Sequence, residues 1–286
     1  MNPTIAMRRY RSADGIDLIA DVGGDPSAPP VVLLHGGGQT RHSWSGAMRE
    51  LLARGYHVIN LDARGHGDSG WSPDARYGLD VLAADLRSVI ATLSRAPALV
   101  GASMGGATSL YAVGMSAEPL ASALVLVDVV PRIDPDGAKK IHTFMSARPD
   151  GFATLEEAAD AVAAYNPHRP RPKDNAGLMK NLRRRADGRL HWHWDPRFLD
   201  DPQRAEPPTF TDRLHQAADH VRIPTLLVRG LKSDLVSEQG VAELRTHLSQ
   251  LEVFDVVGAG HMVAGDKNDA FNDGMLAFLR KHMPPA

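Results

Sequence analysis

A serine stands at the centre of a short glycine-flanked motif in which its hydroxyl could act as a nucleophile. Residues 101–105 read GASMG, a G-x-S-x-G pattern that follows the apolar run 98–100 and precedes a helix-like segment. In a strand–turn–helix context of this kind the serine lies on a strained turn, with its oxygen exposed above the end of a sheet. The flanking glycines leave room for such a sharp turn. We therefore predict that Ser103 is a catalytic nucleophile.

A histidine and a carboxylate should complete such a site, because a serine hydroxyl is a poor nucleophile until a base removes its proton. The glycine-rich segment 258–261 brings His261 directly after the last predicted strand. Asp234 follows the strand before it and would hold the imidazole in the required tautomer. Asp128, which ends the strand 124–127, also lies near the nucleophile. We favour Asp234 as the acid, with Asp128 as the alternative.

Two backbone N–H groups are expected to bind the oxyanion that forms when the serine attacks a carbonyl group. One should come from Met104, the residue after the nucleophile. The other should come from the segment 35–38, which reads HGGG and follows a predicted strand. Gly37 is the first choice of donor and Gly38 the second, since glycine lets the backbone approach a substrate closely. Gly38 is also predicted to line the substrate pocket, and His35 is interpreted as structural.

Alternating strands and helices must position these groups. Buried strands are predicted at 31–34, 56–61, 98–100, 123–127, 224–228 and 251–257, and helices at 44–53, 79–93, 104–115, 237–248 and 268–281. Continuous apolar strands that alternate with helices predict an α/β fold whose mostly parallel sheet is covered by helices on both faces. Asp14-Gly15 indicates a hairpin turn between two weaker strands near the start of the chain.

The alternation stops between residues 131 and 221, which predicts a helical lid inserted into a core formed by residues 1–130 and 222–286. Helices are predicted there at 155–164 and 176–185. Trp192 and Trp194 are predicted to form a wall of the substrate pocket, although they could equally anchor the lid to the body. His191 and His193 are two residues apart, but no cluster of carboxylates or histidines supports a metal site there. No metal is predicted.

These motifs together resemble the α/β-hydrolase superfamily. The resemblance rests on HGGG at 35–38, DARGHGDS at 62–69, GASMGG at 101–106, Asp234, and GH at 260–261. It implies an eight-stranded, mostly parallel sheet, the chain order Ser, Asp, His, and a lid after the sixth strand. The set is most similar to the single-lid branch that includes cofactor-free haloperoxidases, C–C bond hydrolases, lactonases and many esterases. The turn at residues 64–69 is interpreted as structural.

Two neighbouring groups of the superfamily are poorer matches. Epoxide hydrolases and haloalkane dehalogenases use an aspartate nucleophile where this chain has Ser103. The hormone-sensitive-lipase group normally has G-D-S-A-G around its serine, whereas residues 101–105 read GASMG. The leading hypothesis is a serine hydrolase of a small carboxylic ester, lactone or aryl amide. The alternatives are C–C bond hydrolysis or perhydrolysis on the same triad, and a non-catalytic ligand sensor of the same fold.

Composition adds mild limits to the class of protein. The 286 residues are 43% hydrophobic and 23% charged, as in an ordinary soluble globule. The net charge of −2 gives no reason to expect a nucleic acid or an anionic membrane as a partner. The absence of cysteine excludes disulfides, thiolate metal sites and a cysteine nucleophile. We expect a cytoplasmic, cofactor-free enzyme whose partner is a small acyl substrate, and a homodimer is left open.

Overall fold

One large sheet organises the chain. The computed structural model describes residues 4–165, 174–200, 209–261 and 268–285, and eight of the strands in these residues form the sheet in the order β1-β2-β4-β3-β5-β6-β9-β10. All ten strands are β1 (Ile5–Arg11), β2 (Asp17–Gly23), β3 (Pro30–Leu34), β4 (His57–Leu61), β5 (Ala98–Ala102), β6 (Ala123–Val127), β7 (Leu182–Arg184), β8 (Leu190–Trp192), β9 (Thr225–Gly230) and β10 (Leu251–Val256). Within the eight-stranded sheet, β1 and β2 pair antiparallel, as do β2 and β4, and the other pairs are parallel.

Apolar side chains on both faces of the sheet explain why its strands read as continuous hydrophobic runs. In β3, Val31 and Leu33 pack into one hydrophobic cluster, whereas Val32 and Leu34 pack into the other. Alternate residues of a strand point to opposite faces, so a strand buried on both sides needs apolar residues at every position. The six strands predicted from such runs are confirmed to within two residues at each end.

Eight α-helices are found within the described residues, and most of them cover the sheet. They are α1 (Ser45–Ala53), α2 (Leu79–Ile90), α3 (Met104–Gly114), α4 (Pro135–Ser146), α5 (Leu155–Tyr165), α6 (Phe210–His220), α7 (Glu238–His247) and α8 (Asn268–His282). Buried residues of α1 and α8 contribute to one cluster, and those of α2, α3, α6 and α7 to the other. The predicted α/β fold with helices on both faces is confirmed. No described helix is long and apolar enough to cross a membrane.

The segment between β6 and β9 departs from the all-helical prediction. α5 is confirmed, but the predicted helix at 176–185 is wrong: a 3₁₀ turn, Ala176–Asn181, leads into β7, which pairs antiparallel with β8. Strands of three residues are too short to show a period in the sequence. α4 was not predicted, and its N-cap Asp134 accepts hydrogen bonds from the N–H groups of Asp136 and Gly137. We call the described residues 131–165 and 174–200 the insertion.

The predicted lid ends at residue 221 and so includes α6, a helix that packs with the core. Leu214 and Ala218 of α6 pack into the same hydrophobic cluster as the sheet residues Leu124 and Leu126. A Cβ on Gly114 of α3 would overlap the backbone of α6, so these two helices are in close contact. The insertion therefore ends before α6, and α6 covers the sheet beside α3.

Candidate active site

The loops that follow the parallel strands meet at one edge of the sheet. β3, β5, β6, β9 and β10 all run in the same direction, and their carboxyl ends lead into residues 35–38, Ser103, Asp128, 230–234 and 258–261. In an open α/β sheet, this is the edge at which ligands bind. The predicted nucleophile, both candidate acids and the predicted base therefore lie on one side of the molecule.

Ser103 occupies the strained turn between β5 and α3. Its backbone has φ +46° and ψ −112°, a conformation that few non-glycine residues adopt. A hydrogen bond from the Ser103 N–H to the carbonyl oxygen of Val127, 3.0 Å long, ties the turn to the neighbouring strand. A Cβ on Gly101 would overlap the backbone of Gly105, and a Cβ on Gly105 would overlap that of Leu34. The two glycines of the motif are thus required by close backbone contacts.

The imidazole of His261 contacts the carboxylate of Asp128. The distance from Nδ1 of His261 to Oδ2 of Asp128 is 2.7 Å, and the Asp128 side chain is 1% exposed. Asp128 itself has φ +49°, so its backbone also leaves the strand in a left-handed conformation. A buried carboxylate on Nδ1 fixes the ring proton there and leaves Nε2 free to act as a base.

Two further donors hold the Asp128 carboxylate. The N–H of Gly230 donates to Oδ1 at 3.1 Å, and the hydroxyl of Ser233 donates to Oδ2 at 2.5 Å. The Ser233 oxygen in turn accepts hydrogen bonds from the N–H groups of Leu235 and Val236, which directs its own proton to the carboxylate. The carboxylate accepts three hydrogen bonds, so its charge and orientation are stabilised inside the protein.

The preference for Asp234 as the acid is wrong in this geometry, and Asp128 takes the position. Asp234 lies one residue beyond Ser233, and its carboxylate binds Nζ of Lys140 at 2.8 Å with 46% of the side chain exposed. Partial burial tends to raise the pKa of Asp234, but the Lys140 ammonium outweighs it and lowers that pKa. The end of β9 thus supplies Gly230 to the site and the loop after it supplies Ser233, while Asp234 forms a surface ion pair.

The two predicted oxyanion donors lie together beside the serine. Gly37 and Met104 line the same cavity as Ser103, and neither N–H donates a hydrogen bond to any part of the chain that the structure describes. Met104 is the first residue of α3, where backbone N–H groups lack partners within the helix and the helix dipole favours negative charge. Gly38 lines the cavity as predicted, but its N–H donates to Nε2 of His66 at 3.1 Å. Gly37 is therefore the better donor of the two.

His35 fixes the orientation of the Gly37 N–H. Nε2 of His35 accepts from the N–H of Ala63 at 3.0 Å, which places the ring proton on Nδ1, and Nδ1 donates to the carbonyl of Gly36 at 2.8 Å. That carbonyl and the Gly37 N–H belong to one planar trans peptide and point in opposite directions. Burial lowers the pKa of His35, so the neutral form persists. The structural interpretation of His35 is consistent with these contacts.

A cavity of about 610 Å³ opens over Ser103 and is also lined by Asp128 and His261. The insertion contributes much of its apolar wall, including Ile141, Met145, Leu178, Trp192, Trp194 and Phe198. Trp192 and Trp194 stack with ring centroids 4.9 Å apart and also belong to a buried cluster made mostly of insertion residues, with Tyr77 of the core. Both tryptophans therefore line the cavity, as predicted, and pack within the cluster that organises the insertion.

The remaining histidines of this region contact other groups. Nε2 of His191 binds the Asp187 carboxylate at 2.7 Å, and Nδ1 of His193 accepts from the N–H of Gly67 at 2.7 Å. No group of three or more metal-binding side chains occurs in residues 4–165, 174–200, 209–261 and 268–285. His191 and His193 are thus held by different groups.

Comparison with known proteins decides the family. Residues 29–267 match the family described as the alpha/beta hydrolase fold. The chain is an α/β-hydrolase. It is 31% identical to the esterase Rv0045c of Mycobacterium tuberculosis over 84% of this chain and 79% of that protein. It is 30% identical to the 3-hydroxybutyrate-oligomer hydrolase of Cupriavidus necator over 82% of this chain and 84% of that protein.

Solved structures agree with this α/β-hydrolase fold. A structure of the Mycobacterium tuberculosis esterase Rv0045c superposes with a TM-score of 0.77 at 27% identity, covering 98% of this chain and 92% of the other. E-2-(acetamidomethylene)succinate hydrolase superposes with a TM-score of 0.83 at 24% identity over 96% and 99% of the two chains, which shows the fold. The family and these relatives, which include an esterase and an oligomer hydrolase, identify the chain as a hydrolase.

Three contributors to the α/β-hydrolase site were not predicted from the sequence. Ser233 holds the acid, and His66 and His193 bind the backbone of Gly38. The glycine-rich turn that contains His66 is visible in the sequence, but its pattern indicates only a structural turn. His193 contacts Gly38 and Gly67, which are far from it along the chain, and a single sequence gives no indication of such a contact.

Proposed function

We propose that this protein hydrolyses carboxylic esters through an acyl-enzyme on Ser103, with His261 as the base and Asp128 as the acid that orients it. The contact between His261 and Asp128 carries the proposal, because it supplies a fixed base at the cavity that contains the strained serine. The N–H groups of Gly37 and Met104 bind the oxyanion. Esterase relatives at about 30% identity support the reaction class.

In the first half of the reaction the oxygen of Ser103 attacks the ester carbonyl carbon while Nε2 of His261 takes the serine proton. The carbonyl π electrons move to oxygen, and the resulting oxyanion accepts hydrogen bonds from Gly37 and Met104. His261 then gives its proton to the leaving alkoxide as the carbon–oxygen bond breaks. Asp128 stabilises the imidazolium that exists between these two transfers, because its charge lies 2.7 Å from Nδ1.

Water resolves the acyl-enzyme in the second half. His261 removes a proton from the water, the hydroxide oxygen attacks the acyl carbon, and the same two N–H groups bind the second oxyanion. The Ser103 oxygen leaves as the tetrahedral intermediate collapses and regains its proton from His261. The free acid then departs, and the starting state of the enzyme is restored.

The cavity favours esters whose acyl group is larger than acetyl. Its volume of about 610 Å³ lies in the range of sites for small organic ligands. Aromatic and aliphatic side chains form most of the described wall, and buried CH₂ groups contribute about 0.8 kcal/mol each. An acetyl group would leave most of that wall without contact. Medium-length aliphatic or aryl acyl esters are the proposed substrates, and a lactone of similar size would meet the same groups.

A fluorophosphonate reagent tests the nucleophile directly, since it reacts only with a serine that has an activated hydroxyl. The intact protein should gain the mass of one phosphonyl group, and Ser103→Ala should gain none. His261→Gln, which keeps Ser103 but removes the base, should react far more slowly. Labelling of Ser103→Ala at the parent rate would contradict the proposal, because the reactive residue would then lie elsewhere.

A further inference from the structure

Three imidazole rings lie against the HGGG loop, residues 35–38. His35, His66 and His193 are 1%, 0% and 2% exposed. The ring centroids of His35 and His66 are 5.3 Å apart, and those of His66 and His193 are 5.7 Å apart. His35 and His66 come from loops that follow sheet strands, whereas His193 comes from the insertion. A side chain of the insertion therefore reaches the loop that carries an oxyanion donor.

Gly38 is held at both of its backbone polar groups by histidine. Its N–H donates to Nε2 of His66 at 3.1 Å, and its carbonyl oxygen lies 3.4 Å from Nε2 of His193. The N–H of Gly67 donates to Nδ1 of His193 at 2.7 Å, so Nδ1 is an acceptor. A neutral imidazole that accepts at Nδ1 carries its proton on Nε2. His193 therefore donates to the carbonyl of Gly38.

Other side chains of the insertion lie close to Gly37 and Gly38. Gly38 has φ +73°, and a Cβ there would lie 3.2 Å from Cε of Met145 and 3.4 Å from the ring of Trp194. A Cβ on Gly37 would lie 3.7 Å from the ring of Phe198. Three side chains of the insertion besides His193 thus occupy the space beside Gly37 and Gly38. A displacement of the insertion would move Gly38 and the peptide between Gly37 and Gly38. That peptide adjoins the one that carries the Gly37 N–H.

We propose that His193 is a positioning residue through which the insertion holds the HGGG loop in the shape that presents the Gly37 N–H to the oxyanion. This inference rests on the proposed function. It assigns the insertion a part in the chemical step as well as in the fit of the acyl group. Oxyanion binding strengthens only in the transition state, so its loss lowers kcat more than it changes KM. Misplacement of a catalytic group by about 1 Å can cost ~100-fold.

Three substitutions separate the two hydrogen bonds of His193. In His193→Gln the side-chain NH₂ can occupy the position of Nε2 and keep the contact with Gly38. In His193→Asn the amide oxygen can occupy the position of Nδ1 and accept from Gly67, while the contact with Gly38 is lost. His193→Ala removes both contacts. The Gln and Asn variants are compared with each other, so the test holds even if the alanine variant does not fold.

We expect kcat for p-nitrophenyl butyrate to fall by about 10- to 100-fold in His193→Asn and His193→Ala, with KM changed by less than about threefold. His193→Gln should stay within about threefold of the parent. An alkyl trifluoromethyl ketone, which forms a tetrahedral adduct with a catalytic serine, should lose affinity by the factor lost in kcat/KM. His191→Gln is the matched control, because His191 lies two residues away, binds exposed Asp187 and should leave kcat unchanged.

Parent-like kcat in His193→Asn, or a change confined to KM, would overturn the inference and leave His193 as a packing residue. Equal losses in the Gln and Asn variants would overturn it as well, since the contact with Gly38 would then not matter. Ser103→Ala is measured in parallel. Turnover by that variant would defeat the proposed function itself, whereas an inactive Ser103→Ala beside a parent-like His193→Asn would defeat only the positioning role.

Discussion

Nδ1 of His261 lies 2.7 Å from Oδ2 of Asp128, a carboxylate at the end of the strand next to the one that carries the nucleophile. The carboxylate is held from its other side by Ser233 and by the N–H of Gly230. These two donors come from the last residue of β9 and from the loop after it, and β9 lies on the far side of β6 from β5. The carboxylate that contacts His261 therefore follows β6, and the two groups that hydrogen-bond to it lie at the end of β9 and just after it.

Asp128→Asn should lower kcat by about 10³- to 10⁴-fold, because an amide cannot hold the His261 tautomer that leaves Nε2 free as a base. Asp234→Asn is the matched control, since it breaks only an exposed ion pair with Lys140 and should stay within about threefold of the parent. Steady-state kinetics on one ester decide the question. A severe loss of kcat in Asp234→Asn with a mild loss in Asp128→Asn would mean that Asp234, and not Asp128, orients His261.

Ser233→Ala should lower kcat by about tenfold while leaving KM nearly unchanged. It removes one of three hydrogen bonds to the Asp128 carboxylate and so loosens the group that orients His261. The comparison with Ser237→Ala controls for stability, because the Ser237 side chain caps α7 nearby by accepting from the N–H of Gly240. If both variants lost stability and neither lost kcat, Ser233 would be a structural residue of the loop only.

The sheet and its strand ends were predictable because strands buried on both faces need continuous runs of apolar residues, which are easily recognised in a sequence. β3, β5 and β6 are apolar at nearly every position, and each prediction of a strand was confirmed. The glycine-flanked Ser103 was predictable for a related reason, since the turn it occupies excludes side chains at its neighbours. Strong local constraints of this kind act within a few residues and are therefore visible in one chain.

The identity of the acid and the form of the insertion could not be derived in the same way. Asp128 and Asp234 both follow parallel strands, and only the direction of each side chain separates the one on His261 from the one on Lys140. β7 and β8 contain three residues each, which is too few to distinguish a period of two from a helical period. The contact of His193 with Gly38 depends on how distant segments pack.

Protonation of His193 should weaken the fold at acidic pH. Burial lowers the pKa of His193 to about 3, whereas an unfolded histidine titrates near 6.5. The unfolded chain therefore binds a proton that the folded chain excludes, and this contribution to stability is complete above about pH 6.5 and is lost as pH falls from there towards 3. Between pH 6 and 4.5 the free energy of unfolding should decrease by up to about 1.4 kcal/mol per pH unit from this residue.

Denaturant unfolding of the parent and of His193→Asn at several pH values measures that contribution. The slope of unfolding free energy against pH should be smaller in the variant, because asparagine does not titrate. The other titratable groups, including the buried His35 and His66, are present in both proteins, so their contributions cancel in the difference. Identical slopes would show that His193 gains a proton in the folded state near its ordinary pKa.

The wall formed by Trp192 should set the preference for acyl length. Trp192→Ala should change the ratio of kcat/KM for p-nitrophenyl octanoate to that for the butyrate by about tenfold, since an aromatic wall contributes about 1–3 kcal/mol of discrimination. Leu182→Ala is the control: Leu182 pairs with Trp192 across the hairpin and is buried, but it is not part of the cavity wall. It should lower Tm and leave the ratio unchanged. A ratio that moves equally in both variants would mean that stability alone is being measured.

The most direct test of the account is to capture the acyl group on the enzyme. Rapid acid quench of the parent with p-nitrophenyl butyrate, followed by tryptic digestion, should give one butyryl group on the peptide that covers residues 96–132, with fragmentation placing it on Ser103. The amount should rise with the burst of p-nitrophenol and should be absent in Ser103→Ala. Turnover without any acylated peptide, or a butyryl group on another residue while Ser103→Ala retains turnover within tenfold of the parent, would contradict the mechanism.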